Sequence, residues 1–381
     1  MRWQHVHQAA YGLWFLVPLT PVISIWTQWF GVPASVAAWL PLCILYGIYP
    51  LLQIALPFKF PELDCYSETS KSWILLYRLI NTLSFPFVAF MLALGAGFWT
   101  TAQIDPLSSV AYVVGVGAFN SFISLNIGHE LLHGGNHNGL SPAFSCGPTP
   151  LHQWNDPGRS RVLAALALST ACFGVFSIAH LQRHHKYVGT AQDHHTARRH
   201  ECLYAFLVRA LSHEACTSLG WARRVILQRD YRPTDATMTL ALVFSATWAT
   251  LFYLNWGSRG LAFFLIQSLV CIVFLEWANY LQHYGIERTV ATSGRLQPVA
   301  QWHSWNEDLW LSDIFMLGLF RHSDHHMNPG KPYFWLSKSN LAPSYPLPFT
   351  MMMGVSLIPP LFFWMAGRVL DANSSISKNC A

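Results

Sequence analysis

Charged residues are scarce in this sequence: Asp, Glu, Lys and Arg together make up 11% of the 381 residues. Soluble globular proteins carry about 25% charged residues. Apolar residues account for 52% of the chain, which includes 17 tryptophans, and the mean hydropathy is +0.29. This composition predicts an integral membrane protein.

Paired cysteines are absent as well. The eight cysteines include no C-x-x-C pair, and Cys43 and Cys271 lie inside apolar runs. This pattern excludes a disulfide framework, a zinc ribbon and a fused rubredoxin or iron–sulfur domain. The cysteines are therefore predicted to be free thiols.

Two further signals are missing. No basic stripe with interleaved stacking aromatics is present, so nucleic acid is set aside as a partner. The N-terminus lacks the charged start, short apolar core and small-residue cleavage site of a signal peptide. Its first apolar run is therefore predicted to remain as an anchor.

What the chain does contain is a series of long apolar stretches. About 20 apolar residues span a bilayer as a helix, so six stretches qualify. The prediction is an all-α integral membrane fold with six transmembrane helices, arranged as one membrane domain over residues 1–381. The predicted spans cover residues 9–30, 34–58, 73–99, 108–128, 238–256 and 260–281.

The distribution of basic residues predicts the orientation. Six spans place the loops at 31–33, 98–107 and 257–259 on one side, where Arg259 is the single basic residue. The other side holds both termini and the long segments, with 21 of the 23 lysines and arginines. Because basic residues favour the cytoplasm, that side is predicted to be cytoplasmic.

Two cytoplasmic segments, 129–236 and 282–345, are predicted to carry a metal site. A further apolar run at 346–366 contains four prolines. Prolines interrupt a helix, so this run is predicted to be an interfacial helix rather than a seventh span.

Histidines are concentrated on the predicted cytoplasmic side. They form the patterns G-H-E-L-L-H at 128–133, H-L-Q-R-H-H at 180–185 and R-H-S-D-H-H at 321–326. Positions i and i+4 share one face of a helix, and neutral imidazole is a common ligand of iron and zinc. Nine histidines, too many for one ion, are predicted to bind two metal ions: His129, His133, His180, His184, His185, His283, His322, His325 and His326.

Ligating histidines need acceptors for their second ring N–H. The polar residues nearest to the clusters in sequence are candidates for that role: Glu130, Asp193, Glu276, Asn279 and Asp324. His303 and Trp305 are candidates for lining the site. The other histidines are assigned no metal role. Some are interpreted as solvated or interfacial residues: His5, His7, His152, His200 and His213. Three lie near the clusters but off their pattern: His137, His194 and His195.

The histidine patterns resemble those of the integral-membrane di-iron hydroxylases and desaturases. Within that superfamily, N-Y-L-Q-H-Y-G at 279–285 resembles the alkane 1-monooxygenase and xylene monooxygenase branch. R-H-S-D-H-H and H-S-W-N at 303–306 are similar to the alkane enzymes. A-H-L-Q-R-H-H is closer to the xylene enzymes, because Ala179 stands where alkane hydroxylases carry Glu.

The resemblance implies an alkane 1-monooxygenase-like oxidoreductase in a bacterial inner membrane. It implies two non-haem iron ions, O₂ as co-substrate and an apolar substrate that enters from the membrane lipid. The expected reaction hydroxylates a terminal methyl group of a medium- or long-chain n-alkane. Electrons would come from rubredoxin and rubredoxin reductase, or from a ferredoxin-type reductase.

Several alternatives remain open. A xylene-type hydroxylase of alkyl-arene methyl groups and a fatty-acyl desaturase would use the same metals. H-E-L-L-H also matches the zinc-protease pattern H-E-x-x-H, and histidine clusters could serve a metal transporter. The stretch 141–161 resembles an insertion between the first two boxes, and its role is left open.

Overall fold

The computed structural model describes residues 6, 9–59, 71–133, 157–290 and 295–379. Helices are the only regular secondary structure in these ranges apart from three isolated β-bridges. The prediction of an all-helical chain is therefore confirmed at this level. The predicted insertion at 141–161 lies mostly outside the described residues.

Sixteen α-helices are defined in the described ranges, joined in places by 3₁₀ or π turns. They are α1 (Ile23–Gln28), α2 (Ala34–Ala37), α3 (Leu40–Cys43), α4 (Tyr49–Ala55), α5 (Lys71–Thr101), α6 (Pro106–Asn120), α7 (Asn126–His133), α8 (Pro157–Ser169), α9 (Phe176–Ala179), α10 (His185–Tyr187), α11 (Leu203–Ala222), α12 (Ala236–His283), α13 (Trp310–Phe315), α14 (His322–Met327), α15 (Phe349–Ser356) and α16 (Pro359–Asn379).

Four helical segments of the described chain are long and apolar enough to cross a membrane. They are Ala34–Ala55, Leu75–Thr101, Pro106–His133 and Ala236–His283. The first predicted span, 9–30, is not among them, because it forms a 3₁₀ helix over Tyr11–Val22 followed by the short α1. Pro18 and Pro21 lie inside that 3₁₀ helix and remove two backbone donors.

The helix α12 contains a reversal of the chain. Gly257 has φ 63° and ψ −155°, outside the helical region. The rings of Phe252 and Phe264 lie 5.1 Å apart, whereas twelve residues of straight helix advance about 18 Å. α12 is therefore a helical hairpin whose two arms match the predicted spans 238–256 and 260–281.

The open end of this hairpin is closed by α11. Near one end of α11, the ring of Phe206 lies 5.3 Å from that of Tyr280, close to the end of α12. Beyond its other end, Arg224 donates two hydrogen bonds of 2.6 and 2.9 Å to Asp235, just before α12 begins. α11 thus runs across both arms of the hairpin.

Close packing holds the segment Pro106–His133 against its neighbours. A Cβ atom at Gly117 would lie 2.7 Å from the Gln267 carbonyl oxygen of α12, and one at Gly128 would lie 2.9 Å from Leu168 of α8. At Gly117 the neighbour is backbone, so only glycine fits there. The segment is thereby packed closely against α12 at Gly117 of α6 and against α8 at Gly128 of α7.

The apolar run 346–366, predicted to be one helix, forms two. α15 ends at Ser356 and α16 begins at Pro359, because Pro359 and Pro360 cannot donate the hydrogen bonds that would continue α15. The indole of Trp277 donates to Ser356 Oγ at 2.7 Å, which packs α15 against α12. Its predicted place at the membrane interface stays a prediction.

Candidate metal centre

The first histidine box lies at the end of a continuous apolar helix. His129 and His133 are one turn apart on α7, and both are buried. His129 Nε2 faces His325 Nε2 at 2.8 Å, and His133 Nε2 faces His180 Nε2 at 2.9 Å. The spacing i, i+4 thus places both rings on one face, as the sequence predicts.

The second box lies on a π-helical turn, His180–His184. A π turn contains more residues than an α turn, so the spacing i, i+4 no longer places two side chains together. His180 Nε2 faces His185 Nε2 at 2.9 Å instead. The expectation that His180 and His184 share one face is therefore wrong, because the local helix is π rather than α.

The third box meets the end of α12. His322 Nε2 lies 3.0 Å from both His283 Nε2 and His326 Nε2. His325, predicted on the same side as His322, points away from them, and its Nε2 faces His185 Nε2 at 3.2 Å. Consecutive residues on a helix diverge by about 100°, which separates His325 from His326.

The nine predicted histidines form two adjacent clusters. The five-histidine cluster consists of His129, His133, His180, His185 and His325. The four-histidine cluster consists of His184, His283, His322 and His326. Each His-His doublet contributes one ring to each cluster, and the rings of His185 and His326 are 4.6 Å apart across the boundary.

The geometry of both clusters fits metal ions. Nε2 atoms face each other at 2.8 to 3.2 Å. Two ligands at right angles on an ion with bonds of about 2.1 Å are about 3.0 Å apart. His184 Nε2 is buried without a hydrogen-bond partner, as expected of an atom directed at a cation.

The protonation state also suits metal binding. Burial, reinforced by neighbouring histidines, holds the pKa of the box histidines outside the membrane-spanning helices well below its usual range. This applies to His180, His185, His322, His325 and His326. Neutral imidazoles keep the lone pair that a metal requires.

Asp193 supports one ring of the four-histidine cluster. His184 Nδ1 donates to Asp193 Oδ2 at 2.9 Å. The same oxygen accepts a 2.7 Å hydrogen bond from Thr196 Oγ1, and Asp193 Oδ1 accepts one from the backbone N–H of His195. A carboxylate on Nδ1 fixes the ring so that Nε2 faces the metal. Asp193 thus lies where the sequence analysis expects an acceptor.

Glu276 and Asn279 contact a different histidine. Glu276 Oε2 accepts from His195 Nδ1 at 2.9 Å, and Asn279 Nδ2 lies 3.3 Å from that oxygen. His195 Nε2 donates to Glu214 at 3.1 Å. Burial alone would lower the pKa of His195, but the carboxylates of Glu276 and Glu214 outweigh it and raise that pKa.

The other two acceptor candidates hydrogen-bond to residues other than the ligand histidines in the described part of the chain. Glu130 accepts from the Tyr77 hydroxyl at 2.9 Å. Asp324 accepts from Lys331 Nζ at 2.6 Å and from Asn328 Nδ2 at 2.7 Å. Both carboxylates therefore tie neighbouring segments together.

His303 and Trp305 lie beside the end of α12. The Nδ1 atom of His303 accepts from the Ala300 N–H at 2.9 Å, and burial followed by Arg288 lowers the pKa of His303 to about 4. Trp305 donates from its backbone N–H to the Gln282 carbonyl at 2.9 Å and from its indole to the Tyr284 carbonyl at 2.8 Å. Trp305 thereby fixes the backbone on both sides of His283.

Comparison with known proteins identifies the class of this chain. Residues 104–348 match the family described as fatty acid desaturase, so the chain belongs to that family. The family resemblance predicted from the histidine boxes is thereby confirmed.

Named relatives lie in the monooxygenase branch. The chain is 27% identical to alkane 1-monooxygenase 2 of Alcanivorax borkumensis over 91% of this chain and 86% of the relative. It is 28% identical to alkane 1-monooxygenase of Pseudomonas putida over 95% and 85%. The xylene/toluene monooxygenase hydroxylase component of Pseudomonas putida is 25% identical over 50% and 51%. These names agree with the predicted oxidoreductase class.

Two residues beside the site are not predicted from the sequence. His195 lies off the box pattern and Glu214 lies outside every motif, yet His195 is buried between Glu214 and Glu276. The one available signal was Glu276 itself, since an unpaired carboxylate inside a membrane helix is costly. That cost predicts a partner without indicating which residue it is.

Proposed function

We propose that the protein is a non-haem di-iron monooxygenase that hydroxylates the terminal methyl group of a medium- or long-chain n-alkane. The observation that carries the proposal is the set of nine imidazoles, eight buried and that of His185 half-buried, which form groups of five and four with ligand-like separations. The overall reaction is R–CH₃ + O₂ + 2 electrons + 2 H⁺ giving R–CH₂OH + H₂O.

The residues for this chemistry are the nine histidines. The five-histidine cluster would hold one iron and the four-histidine cluster the other. Bound iron supplies the activation of O₂ that oxidation of an unactivated C–H bond requires. Burial of the clusters excludes bulk water, and Asp193 holds the His184 ring with its Nε2 atom available.

A six-span topology with a cytoplasmic site accompanies this proposal, within a single membrane domain over 1–381. The reversal at Gly257 supports counting α12 as two spans. The apolar helices Tyr11–Val22 and α1 would complete the set of six. The 21 lysines and arginines on the side of the histidine clusters support a cytoplasmic site in a bacterial inner membrane.

The relatives support the choice of substrate. The alkane 1-monooxygenases align along nearly the whole chain, whereas the xylene/toluene enzyme aligns over half of it. An n-alkane entering from the membrane lipid is therefore the proposed substrate, and an alkyl-arene methyl group is the alternative. The electron donor would be a separate protein, either rubredoxin with its reductase or a ferredoxin-type reductase.

A zinc protease is disfavoured by Glu130. The motif H-E-x-x-H needs its Glu as a general base beside the metal, but Glu130 accepts from the Tyr77 hydroxyl and, among the described residues, hydrogen-bonds to no ligand ring. A desaturase would use the same metal site, so the reaction product has to separate it from a hydroxylase.

The experiment is metal analysis followed by turnover. Iron and zinc are quantified in the purified protein, which is then supplied with NADH, O₂, a rubredoxin system and octane, hexadecane or a methylarene. We expect about two irons per chain and a primary alcohol from one of the alkanes. Zinc alone, or an alkene as the product, would contradict the proposal.

Two variants control for the site. His322→Ala removes a ring of the four-histidine cluster and is expected to abolish the alcohol. His200→Ala changes an exposed histidine outside both clusters and is expected to leave turnover unchanged. Equal losses in both variants would show that the assay reports general damage.

A further inference from the structure

A third group of buried ionisable residues lies next to the four-histidine cluster and is not part of it. His195 lies between two glutamates: Glu276 Oε2 is 2.9 Å from its Nδ1 atom and Glu214 Oε1 is 3.1 Å from its Nε2 atom. The three residues come from α11, α12 and the loop between α10 and α11. Their exposed fractions are 3% for His195, 6% for Glu214 and 0% for Glu276.

The group is too costly to be accidental. A buried carboxylate without a countercharge is strongly destabilising. No lysine or arginine among the described residues forms an ion pair with Glu214 or Glu276. His195 is therefore the one countercharge in contact with the two carboxylates among the described residues.

The geometry is that of a hydrogen-bonded triad rather than a metal site. A single ion could take a lone pair from one ring nitrogen of His195, and the two nitrogens point to different sides of the ring. Each glutamate contacts a different nitrogen at hydrogen-bond distance. One ion could not replace both contacts.

The backbone of His195 leads to a ligand ring. Its N–H donates to Asp193 Oδ1 at 3.1 Å, and Asp193 Oδ2 accepts from His184 Nδ1 at 2.9 Å. The rings of His195 and His184 are also in edge contact, 5.4 Å between centroids. Movement of His195 would therefore shift Asp193 and the ring of His184.

The side chain of His195 leads to the helix that carries a second ligand of the same cluster. Glu276 lies seven residues before His283 on α12, which is about two helical turns and places both on one face. Hydrogen bonds of His195 thus connect α12, which carries His283, to Asp193 and through it to His184 of the second box. These two ligands belong to separate segments and meet in the four-histidine cluster.

We propose that His195 is a positioning residue that holds His184 in place relative to His283 through the Glu214–His195–Glu276 triad. This inference rests on the proposed metal-binding function. The triad is assigned to the four-histidine cluster alone. Hydrogen bonds connect His195 through Asp193 to His184, and none among the described residues connects the triad to a ring of the five-histidine cluster.

The test compares His195→Ala with His194→Ala. His194 is the adjacent histidine, half-buried, with its ring stacked on His213 and outside the triad. Protein loaded with ⁵⁷Fe is examined by Mössbauer spectroscopy, and iron release to a chelator is timed. Loss of residues behind metal ligands lowers metal affinity about 10- to 100-fold. For His195→Ala we expect a decrease of this size for one iron, with the spectrum of the other unchanged.

A second variant guards against misfolding. His195→Ala leaves two buried carboxylates uncompensated, so the variant also carrying Glu214→Gln and Glu276→Gln removes that charge without restoring the link. This triple variant is expected to fold and to release one iron faster than the wild type does. Wild-type release of both irons in this triple variant would overturn the inference, as would equal loss of both irons or a third metal ion that disappears with His195.

The wild-type protein separates this inference from the proposed function. Wild-type protein without two irons would contradict the di-iron proposal itself. Wild-type protein with two irons, together with unchanged release from the His195 variants, would contradict only the role of the triad.

Discussion

The five-histidine and four-histidine clusters are built from the same three boxes but are supported differently. In the five-histidine cluster, the ring of Phe176 stacks on His180 at 4.6 Å, and no carboxylate among the described residues hydrogen-bonds to any of its rings. In the four-histidine cluster, Asp193 fixes His184, and the triad around His195 lies behind it. With one ligand fewer, the four-histidine cluster depends more on its surroundings.

The largest expected effect comes from removing a ligand of the smaller cluster. His283→Ala leaves three rings in this cluster. We expect one of the two irons to be lost and alkane hydroxylation to fall more than about 100-fold, which exceeds the effect of removing a residue behind a ligand. Product formation and iron content measure it. His133→Ala, which leaves four rings in the larger cluster, is the comparison. A smaller loss of iron and activity in His283→Ala than in His133→Ala would contradict the greater sensitivity of the four-histidine cluster.

The next effect concerns the carboxylate that only one cluster has. Asp193→Asn weakens the acceptor on His184 Nδ1, and we expect iron affinity of the four-histidine cluster to fall about 10- to 100-fold. Competition with a chelator measures this affinity. Asp324→Asn is the matched control, because Asp324 contacts Lys331 and no ligand ring. Equal losses of iron affinity in both variants would show that Asp193 does not act through the ring of His184.

The pH dependence of the metal-free protein separates the clusters from the triad. The depressed pKa values of the box histidines, such as His180 and His322, mean that the unfolded chain binds more protons below about pH 6.5. Their contribution to stability is complete above that pH and is lost as the pH falls. Each proton taken up on unfolding lowers stability by about 1.4 kcal/mol per pH unit.

His195 acts in the opposite direction. Its raised pKa stabilises the fold below about pH 6.5, and this stabilisation is lost as the pH rises through the folded-state pKa. Thermal unfolding between pH 5.5 and 7.5 compares wild-type apoprotein with the variant that combines His195→Ala, Glu214→Gln and Glu276→Gln, in which no uncompensated carboxylate is left to titrate. We expect this variant to lose more stability on acidification than the wild type. Parallel curves would contradict the assignment.

The smallest expected effect lies at the backbone of His283. Trp305→Phe keeps an aromatic ring against Tyr345 but removes the hydrogen bond to the Tyr284 carbonyl. A lost hydrogen bond of this type lowers stability by about 1 kcal/mol. We expect a modest acceleration of iron release from the four-histidine cluster alone. Trp302→Phe changes a neighbouring half-buried tryptophan and is the control. A larger effect in this control would contradict the role of Trp305 in fixing the backbone of His283.

Much of the site could be predicted from the sequence, because composition, box spacing and the motif around His283 report local chemistry. The nine histidines meet as two groups, and the hairpin at Gly257 coincides with the gap between two predicted spans. Local patterns also gave Asp193, nine residues from His184.

The remainder depends on tertiary structure. The π turn at His180–His184 changes which rings pair, and the spacing of the box does not distinguish a π turn from an α turn. His195 meets Glu276, 81 residues away in sequence, so no local pattern could pair them. Pro18 and Pro21 are compatible with a kinked membrane helix, so the 3₁₀ helix over Tyr11–Val22 could not be predicted from the sequence pattern.

Metal stoichiometry combined with iron X-ray absorption of the purified protein tests whether the two histidine clusters hold two irons. We predict about two irons per chain in an environment dominated by imidazole nitrogen at about 2.1 Å. One metal per chain, zinc in place of iron, or a sulfur-rich environment would contradict the account.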